Sequence, residues 1–402
     1  MARSIVCPLL SFAGLLAACA DAPSPTVWEG RVDSLPSGTI VVVNPARGVW
    51  DSATAWRAVE DLRIGSVEGD EAAAFGRIAA LAVDPAGRIS VLDQQAQEVR
   101  VFGPDGTHIR TIGRKGGGPG EFAGADALWA DATGRLWVSD RTARRFSAFD
   151  SAGVLLGDHP RSQAGFFPEF IGGSATGDLW DAWLAYDAAG EPLDKVLRRF
   201  TDGAYRDTLT LPRFVEAQWQ VVRRQGTSTM QFNLRVPFTA VELLAVEPLG
   251  GVWRAVTNAY RLTRFDLRGD STRVVLREHT PIPVSAADRE GALRRYRTDF
   301  ADDLGAIDES LIPAAKPAMW TIVVDDLGYL WVVPYTADDR AAIAFDVFDP
   351  EGRYLGAVPT PVTPQRLRPR PVVRGDALYY VTTDELDVPY VVRVRIEGRK
   401  DP

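Results

Sequence analysis

Residues 111–150 read TIGRKGGGPGEFAGADALWADATGRLWVSDRTARRFSAFD and contain one complete structural repeat. The repeat begins with a glycine-rich stretch and continues with an apolar run, an Asp-x-x-Gly turn and a Trp-containing run. A polar loop and a final run that ends in Phe complete it. Short apolar runs separated by such turns predict β-strands, because Gly and Asp tolerate the backbone angles that tight turns need.

Weaker copies of this repeat fill most of the chain, and the residue at the turn aligns six of them. The position two residues after the turn is aliphatic in every copy, and the next position is aromatic in five of the six. Neighbouring positions of a strand point to opposite faces, so two adjacent apolar positions predict sheets that are covered on both faces. The aligned turn residues are Gly87, Gly134, Gly177, Gly250, Gly328 and Asp376.

The last copy ends at Arg399 without a fourth strand, and the matching segment lies near the N-terminus. Residues 58–65 (AVEDLRIG) align with residues 108–113 (HIRTIG). Each segment is followed by a connection to the next blade, polar in the first case and glycine-rich in the second, and then by Phe75 or Phe122. An N-terminal strand in this place would cover an edge of the last sheet that is otherwise open. The sequence therefore predicts an all-β fold, a six-bladed β-propeller of four-stranded antiparallel blades closed by an N-terminal strand.

The repeats leave no room for a second core, so residues 39–402 are expected to form one propeller with insertions at 213–235 and 285–313. Apolar residues in the second insertion are spaced by three and four, which predicts an amphipathic helix. We expect this helix to pack against the first insertion and to cap part of the axial mouth. The apolar stripe comprises Leu293, Tyr296, Phe300 and Leu304, the N-cap is Ser285, and the first insertion offers Trp219, Val221 and Phe232.

Residues 1–18 have the features of a secretory signal peptide, with an early Arg, an apolar run and then small residues. The run is shorter than the roughly 20 residues that span a membrane. The sequence Leu-Ala-Ala-Cys that ends at Cys19 resembles a bacterial lipobox, and this resemblance implies cleavage before Cys19 and diacylglyceryl attachment to its thiol. The alternative is an ordinary signal peptide with an incidental cysteine. Residues 19–38 are rich in Pro and Ser and are expected to form a flexible tether.

These features predict a lipid-anchored protein of the cell envelope, on the periplasmic side or at the surface. Ala20 follows the cysteine in place of the Asp that retains enterobacterial lipoproteins in the inner membrane, which favours the outer membrane. The only other cysteine, Cys7, lies within the signal peptide. A mature chain without a second thiol has no disulfide, so its stability must come from the core.

The repeat in residues 111–150 resembles the NHL-type propeller repeat, in which a glycine-rich stretch and Gly-Glu-Phe precede an apolar run and a strand ending in Asp. The first two blades match this pattern well, and the other four keep only the Gly, Trp and Phe positions. With the lipobox, the chain resembles the six-bladed propeller lipoproteins of Gram-negative bacteria. The resemblance implies the fold, and this fold hosts binding proteins, scaffolds, lyases and lactonases, so it does not decide the function.

Several motifs that suggest chemistry have a simpler structural explanation. The stretch GRKGGGPGEF precedes a strand, whereas a phosphate-binding loop needs Gly-Lys and Ser or Thr at the start of a helix. Calcium-dependent propeller lactonases need axial Glu, Asn and Asp oxygens, and the three asparagines of this chain do not recur at one offset. Propeller lyases need axial histidines, whereas the three histidines here fall on or beside outer strands. The net charge of −8 argues against nucleic acid as a partner.

Loop length distinguishes the two faces of the predicted ring. Turns between first and second strands, and between third and fourth strands, lie on one face and are uniformly short; we name it the turn face. The other face, here called the loop-rich face, carries the long second-to-third-strand loops, the blade crossings and both insertions. Variable loops on a rigid scaffold are the usual place for binding, although solvated loop charges are the simpler explanation of any one residue. The candidate ligand-binding residues are Arg141, Arg223, Arg224, Lys316, Tyr335 and Arg370.

The sequence thus favours a non-catalytic, lipid-anchored propeller that binds a small molecule, a glycan or a protein through its loop-rich face, without a cofactor. The alternative is a metal-dependent lactonase or lyase of the propeller type, in which calcium would be the expected metal. A third possibility is a passive scaffold of the envelope, which would expose a large apolar patch instead of a pocket.

Overall fold

The computed structural model describes residues 27–66, 71–161, 169–187, 192–225, 228–300, 307–337, 343–362 and 369–399. Cys19 and the signal peptide lie outside these ranges, as does Leu304. Among the described residues, no helix has both the length and the apolar character needed to cross a membrane. The strands, in chain order, are β1 (Arg31–Ser34), β2 (Ile40–Asn44), β3 (Arg57–Ile64), β4 (Ile78–Val83), β5 (Ile89–Asp93), β6 (Glu98–Phe102), β7 (His108–Ile112), β8 (Ala125–Ala130), β9 (Leu136–Asp140), β10 (Arg145–Phe149), β11 (Leu155–Pro160), β12 (Glu169–Gly173), β13 (Leu179–Tyr186), β14 (Pro192–Thr201), β15 (Ala204–Leu211), β16 (Gln218–Gln225), β17 (Ser228–Arg235), β18 (Glu242–Val246), β19 (Val252–Val256), β20 (Arg261–Phe265), β21 (Ser271–Arg277), β22 (Met319–Val324), β23 (Leu330–Pro334), β24 (Ala344–Phe348), β25 (Tyr354–Pro359), β26 (Val372–Arg374), β27 (Ala377–Thr383) and β28 (Pro389–Glu397).

All of these strands except β1, β2, β16 and β17 form six blades of four antiparallel strands each. Blades one to three are β4–β7, β8–β11 and β12–β15, and blades four and five are β18–β21 and β22–β25. Blade six consists of β26, β27 and β28 with β3 from the N-terminal region as its fourth strand. The innermost strands β4, β8, β12, β18, β22 and β26 contact one another in a closed cycle. The fold is the predicted six-bladed β-propeller.

The aligned positions of the repeat form the core between the blades, as predicted from the two apolar columns. The aliphatic residue after each turn is at most 5% exposed, and the next residue is at most 8% exposed in all six blades. Trp180, Trp253 and Trp331 are fully buried. A buried Trp removes roughly 150–250 Å² from water, which stabilises the fold by about 4–6 kcal/mol at about 25 cal/mol per Å². These Trp side chains therefore contribute substantially to the contacts between blades.

The aspartate that ends the second strand of the NHL-like blades ties each blade to the crossing that precedes it. In blade two, Asp140 accepts hydrogen bonds from the backbone N–H of Ala123 and of Ala143, each at 2.7 Å. Asp93 makes the equivalent bonds in blade one, to Gly76 N at 2.8 Å and to Ala96 N at 3.3 Å. The Asp of the NHL-like pattern therefore fixes loops on the loop-rich face and leaves those carboxylates occupied by backbone donors.

The N-terminal region borders three successive blades. β3 pairs antiparallel with β28, from Ile64 opposite Val391 to Arg57 opposite Glu397. β2 pairs parallel with β21, and β1 pairs with β2, so the sheet of blade four has six strands. Between them, the backbone N–H of Trp50 donates to Leu355 O on the outer strand of blade five, at 2.8 Å.

The prediction of a flexible tether over residues 19–38 is wrong for β1, which belongs to a sheet. The predicted accessory strand over residues 39–44 is present as β2. The composition of residues 20–37 suggested a tether, but the open edge of β21 provides a template for β2, and the edge of β2 provides one for β1. The indole N–H of Trp28 also donates to Asn44 Oδ1 at 2.9 Å, which holds residue 28 against the end of β2.

The two insertions pack together on the loop-rich face, as predicted. β16 and β17 form a separate hairpin, and α1 (Ala286–Phe300) is the predicted helix. The rings of Trp219 and Tyr296 are 5.5 Å apart, and Leu293 belongs to the same buried cluster. Ser285 is the helix cap, because its hydroxyl accepts from Asp288 N and its own N–H donates to Asp288 Oδ2. The side chains of Phe232 and Phe300 lie outside the described part of the chain.

Candidate functional site

A cavity of about 200 Å³ lies on the axis of the ring. The backbone edge of each innermost strand is unpaired on the axial side, and aliphatic side chains cover most of the wall. Trp129 and Phe170 add aromatic surface, and Asp126, Glu169 and Arg370 are the charged residues where the innermost strands begin. Every blade contributes to the wall, for example through Ala79, Leu128, Ile171, Val246, Ile322 and Val372.

Arg370 crosses the axis from blade six to the opposite side of the ring. Its guanidinium Nη1 donates to Ile171 O of blade three at 3.1 Å and to Leu244 O of blade four at 3.0 Å. Its Nη2 lies 3.7 Å from Glu169 Oε1. Two backbone acceptors on otherwise open strand edges are thus satisfied by one side chain. Among the sequence-predicted candidates with described side chains, Arg370 is the one that lines the cavity.

Hydrogen bonds between neighbouring turns join the blades at the opposite end of the axis, on the turn face. Ala132 N donates to Ala175 O at 3.1 Å, and Ala175 N donates to Pro248 O at 3.0 Å, which links blades two, three and four. Gly375 N of blade six donates to the Asp326 carboxylate of blade five at 3.1 Å. Opening this end would break backbone hydrogen bonds, so the loop-rich mouth is the easier route for a ligand.

Asp126 stands on the cavity wall and is held from behind by a buried polar network. A bulge in the pairing of β8 with β9, between Ala125 and Ala127, displaces Asp126 from the regular alternation of the strand. Its Oδ1 accepts from the Ser139 hydroxyl at 2.8 Å and lies 3.8 Å from Arg161 Nη1. Within the described residues no donor binds Oδ2, and the side chain is 23% exposed, so this oxygen is available to the cavity.

The network behind Asp126 is an almost completely buried ion pair. The Arg161 side chain is 1% exposed and contacts the fully buried Asp181 at 2.6 Å, while its Nη1 donates to Ser139 Oγ at 2.9 Å. The phenol of Tyr205 donates to Asp181 Oδ2 at 2.5 Å. Burial raises the pKa of the Asp126 carboxyl above its ordinary value, and the Arg161 guanidinium is the largest opposing influence. Arg141, which is exposed, also acts to lower this pKa.

Lys316 is wrong as a ligand-binding candidate, because its side chain is only 1% exposed. Its ammonium lies 2.9 Å from Asp288 Oδ1 and donates to Ala337 O at 3.1 Å. The interaction with Lys316 and the bonds from Ser285 lower the pKa of the Asp288 carboxyl to about 2, although burial opposes this shift. Lys316 therefore fastens α1 to blade five. The sequence suggested a loop charge because the covering helix is remote in sequence from residue 316.

The other candidates are not brought together at the cavity. Tyr335 stacks on Trp320 with ring centroids 4.0 Å apart and is half-buried. The charge of Arg141 acts to lower the pKa of Asp126, but Arg141 does not line the cavity wall. Arg223 and Arg224 belong to β16, and their side chains lie outside the described part of the chain. Of the candidates whose side chains the structure describes, Arg141, Lys316 and Tyr335 therefore share no site with Arg370.

Asp126 and Glu169 were missed as candidates although the sequence contains a signal for them. Both stand eight residues before the turn glycine of their blade, at the position where an innermost strand begins. Blade four has Glu242 at this position, which is occupied by Lys195 and by Arg254 Nε at 2.6 Å. From the sequence, binding was predicted in the loops, whereas the innermost strands line the cavity.

Among the described residues, no group of three or more His, Cys, Asp or Glu side chains could hold a metal ion. His108 and His159 lie in β7 and β11, the outer strands of blades one and two, as the sequence indicated. His279 follows β21, and its imidazole has a lowered pKa because it is partly buried beside Arg277.

Comparisons with known proteins agree on the fold. The family model DUF5128, described as a 6-bladed beta-propeller, matches residues 66–156, which is less than a quarter of the 402 residues. A comparison with curated proteins gives no match. The chain is therefore placed by its fold, as a six-bladed propeller, while its resemblance to NHL-type lipoproteins stays a prediction.

Solved structures similar to this chain are also propellers with little sequence identity to it. A gluconolactonase from Xanthomonas campestris is 15% identical over 85% of this chain and 87% of its own, with a TM-score of 0.41. A virginiamycin B lyase from Staphylococcus aureus is 13% identical over 79% and 94%, with a TM-score of 0.40. A member of the DUF4221 family from Bacteroides vulgatus is 9% identical over 86% and 98%, with a TM-score of 0.43. At these values the similarities carry no argument about activity.

Proposed function

We propose that this protein is a non-catalytic, lipid-anchored component of the cell envelope that binds a small, mainly apolar ligand in the axial cavity. The ligand enters from the loop-rich face. The observation that carries the proposal is the cavity of about 200 Å³, with an aliphatic and aromatic wall and charged groups at its two ends. Asp325, Asp326 and Arg374 lie at the turn-face end. Ligand sites in proteins typically combine an apolar wall with a small number of placed polar groups.

The size and position of the cavity support a small ligand. An apolar cavity of about 150 Å³ is enough for a benzene-sized molecule, so this one accommodates a substituted ring or a short branched chain. The turn-face end is bound by the hydrogen bonds of Ala132, Ala175 and Gly375. The mouth at the loop-rich face carries Asp126, Glu169 and Arg370, which would recognise the polar end of the ligand.

Filling the cavity should abolish binding. Ala127 lines the wall on β8 and is only partly buried, so Ala127→Phe would place a ring where the ligand lies. With benzyl alcohol as the probe, we expect at least a tenfold loss of affinity, measured by ligand-observed NMR titration. Overpacking costs roughly 1–3 kcal/mol, so a thermal melt must show that the variant is still folded.

The control for this experiment is Ala123→Phe, the same substitution at an exposed position that does not line the cavity. It should leave the affinity for benzyl alcohol unchanged within twofold. Equal binding by the wild-type protein and Ala127→Phe would show that the probe binds elsewhere and that the axial cavity is not the site.

The proposed membrane attachment depends on Cys19, which lies outside the described residues. Its support is the lipobox-like sequence that ends there. We expect Cys19→Ser to abolish metabolic labelling with palmitate and to release the protein from the membrane fraction. Several acyl chains hold a protein firmly, whereas one chain gives only reversible binding. Unchanged labelling of the variant would place the lipid on another residue and remove the lipobox interpretation.

The alternative, a metal-dependent lactonase or lyase, receives support from one feature, the Asp126 carboxyl on the cavity wall. A carboxyl with a raised pKa in a cleft is suited to proton transfer. Under this alternative, adding calcium should raise the melting temperature and EDTA should lower it. Under the binding proposal, neither treatment should move the melting temperature.

A further inference from the structure

We propose that the ligand of the axial cavity carries an amino group, protonated at neutral pH, and that Asp126 is the residue that receives it. This inference rests on the proposed function, because it names the chemical class of ligand that the same cavity would take. The observation that supports it is one open carboxylate oxygen in a cavity with aromatic and aliphatic walls.

Among the charges around the mouth, Asp126 shares its cation, Arg161, with Asp181. Glu169 and Arg370 lie within 3.7 Å of each other, so their charges offset. Arg161 is engaged by Asp181 through both Nε and Nη2, which leaves its approach to Asp126 at 3.8 Å. Arg141 is solvent-exposed, and its influence on Asp126 is screened by water. A cation at Asp126 Oδ2 would therefore give this carboxylate a close partner that it does not share, whereas an anion would be repelled by it.

The walls beside Asp126 suit the rest of such a ligand. Trp129 and Phe170 line the same cavity, and aromatic faces attract an ammonium group as well as an apolar body. The indole N–H of Trp129 donates to Ser174 O at 3.1 Å, which fixes the orientation of its ring. The aliphatic residues deeper on the axis would cover the ring or chain to which the amino group is attached.

The buried polar network behind Asp126 reduces the stability of the fold, which favours a role for it at the cavity. Burying an ion pair such as Arg161–Asp181 costs several kcal/mol per ion in lost hydration, and the Coulomb attraction often does not exceed this cost. The Ser139 hydroxyl and the Arg161 guanidinium fix one oxygen of Asp126 and direct the other to the cavity. Tyr205 in turn holds Asp181. These are positioning residues, and Asp126 is the only member of this network that lines the cavity.

Three probes of similar size separate the possibilities: benzylamine, benzyl alcohol and benzoate, titrated against the full-length mature chain at pH 7. We expect benzylamine to bind at least tenfold more tightly than benzoate, with benzyl alcohol between them. Asp126→Asn keeps the size of the side chain and removes its charge, so it should weaken benzylamine at least tenfold and benzyl alcohol less than threefold. Asp270→Asn makes the same change at a carboxylate that is 73% exposed on the turn face, and it should alter neither affinity.

A pH titration of the wild-type protein gives a second test that does not depend on the folding of Asp126→Asn. The groups that face Asp126 are Arg161, Arg141, Asp181 and, across the mouth, Glu169 and Arg370. Only the ionised carboxylate attracts an ammonium, and an alkylammonium stays protonated throughout this range. The affinity for benzylamine should therefore fall as the pH is lowered through the raised pKa of Asp126, while that for benzyl alcohol stays constant.

Each outcome is informative. If the wild-type protein binds benzoate as tightly as benzylamine, or Asp126→Asn keeps the preference for benzylamine, the assignment of an amine to Asp126 is overturned while the cavity remains a binding site. A benzylamine affinity that does not change with pH overturns it as well. If none of the three probes binds, the cavity does not take small apolar ligands, and the proposed function fails together with this inference.

Discussion

A chain that starts at residue 66 is expected to lose its single, cooperative unfolding transition. It lacks β3, whose partner β28 would then present an open edge along seven paired residues. It also lacks Trp56 and Ile64, which are 7% and 4% exposed. Trp56 belongs to the core between blades five and six, and Ile64 to the core between blades six and one. Large core truncations cost about 2–5 kcal/mol each, and native proteins are stable by only about 5–15 kcal/mol. Together with the lost pairing of β3, these truncations cost an amount comparable to the whole stability of the ring.

The measurement is urea or thermal unfolding followed by circular dichroism and by Trp fluorescence. The reference is a chain that starts at residue 20, without the lipid. A chain that starts at residue 48 is the control, because it lacks β1 and β2 but keeps β3 and the contacts of Trp50 with blade five. We expect it to melt at a lower temperature in one transition. A single sharp transition in the chain from residue 66, with an unchanged m-value, would show that the ring closes without β3.

The aligned positions of the repeat predicted the fold because their residues are buried between blades. Packing of successive blades against one another is what defines a propeller. Ile89, Trp180 and Phe348 were expected in the core from their offsets to turn residues, and each is at most 1% exposed. The place of β3 could be found in the same way, since residues 58–65 repeat the pattern of other outer strands. The spacing of apolar residues predicted helix α1. Its contact with Trp219 was predicted because both insertions enter the loop-rich face.

The site was harder to predict, because it depends on contacts between residues that are distant in sequence. The Arg161–Asp181 pair joins a blade crossing to a second strand of the next blade, and no repeat column marks either residue. Lys316 became a structural residue because it pairs with Asp288 of α1, which is remote from it in sequence. The paired strand β1 was hidden by a composition typical of linkers. In each case the deciding factor was a partner that no local pattern identifies.

The largest effect of a single substitution is expected at Arg399, which joins the C-terminal end of the chain to blade five and to the N-terminal region. Its side chain is 1% exposed, and its Nη2 donates to the fully buried Asp325 Oδ2 at 2.8 Å. Its guanidinium lies 5.4 Å from the ring of Trp56 and 5.1 Å from that of Tyr329. Because Trp56 precedes β3, this contact reinforces the junction that β3 makes with blade six.

Arg399→Met should destabilise the protein by about 3–5 kcal/mol at pH 7, since it leaves the Asp325 carboxylate buried without its cation. Arg395→Met is the matched control: Arg395 is 42% exposed and pairs with the partly exposed Asp61 and Asp376, so its loss should cost less than about 1 kcal/mol. The double variant Arg399→Met/Asp325→Asn should recover much of the loss, because no buried charge then lacks a partner. Chemical unfolding of the wild-type protein, Arg399→Met, Asp325→Asn and the double variant gives the coupling free energy of the pair directly.

The pH dependence of the Arg399→Met variant supplies an independent check. Burial already raises the pKa of the Asp325 carboxyl in the wild-type protein, and the Arg399 guanidinium is the main influence that opposes this shift. Without Arg399 the pKa should rise further, so the folded variant binds a proton more readily than its unfolded chain. Stability then increases as the pH falls through that raised pKa, and the deficit of Arg399→Met relative to the wild-type protein should be smaller at pH 4.5 than at pH 7. A deficit that is constant over this range, or a loss no larger than that of Arg395→Met, would mean that Asp325 is not left as an uncompensated charge and that the aromatic rings alone hold this junction.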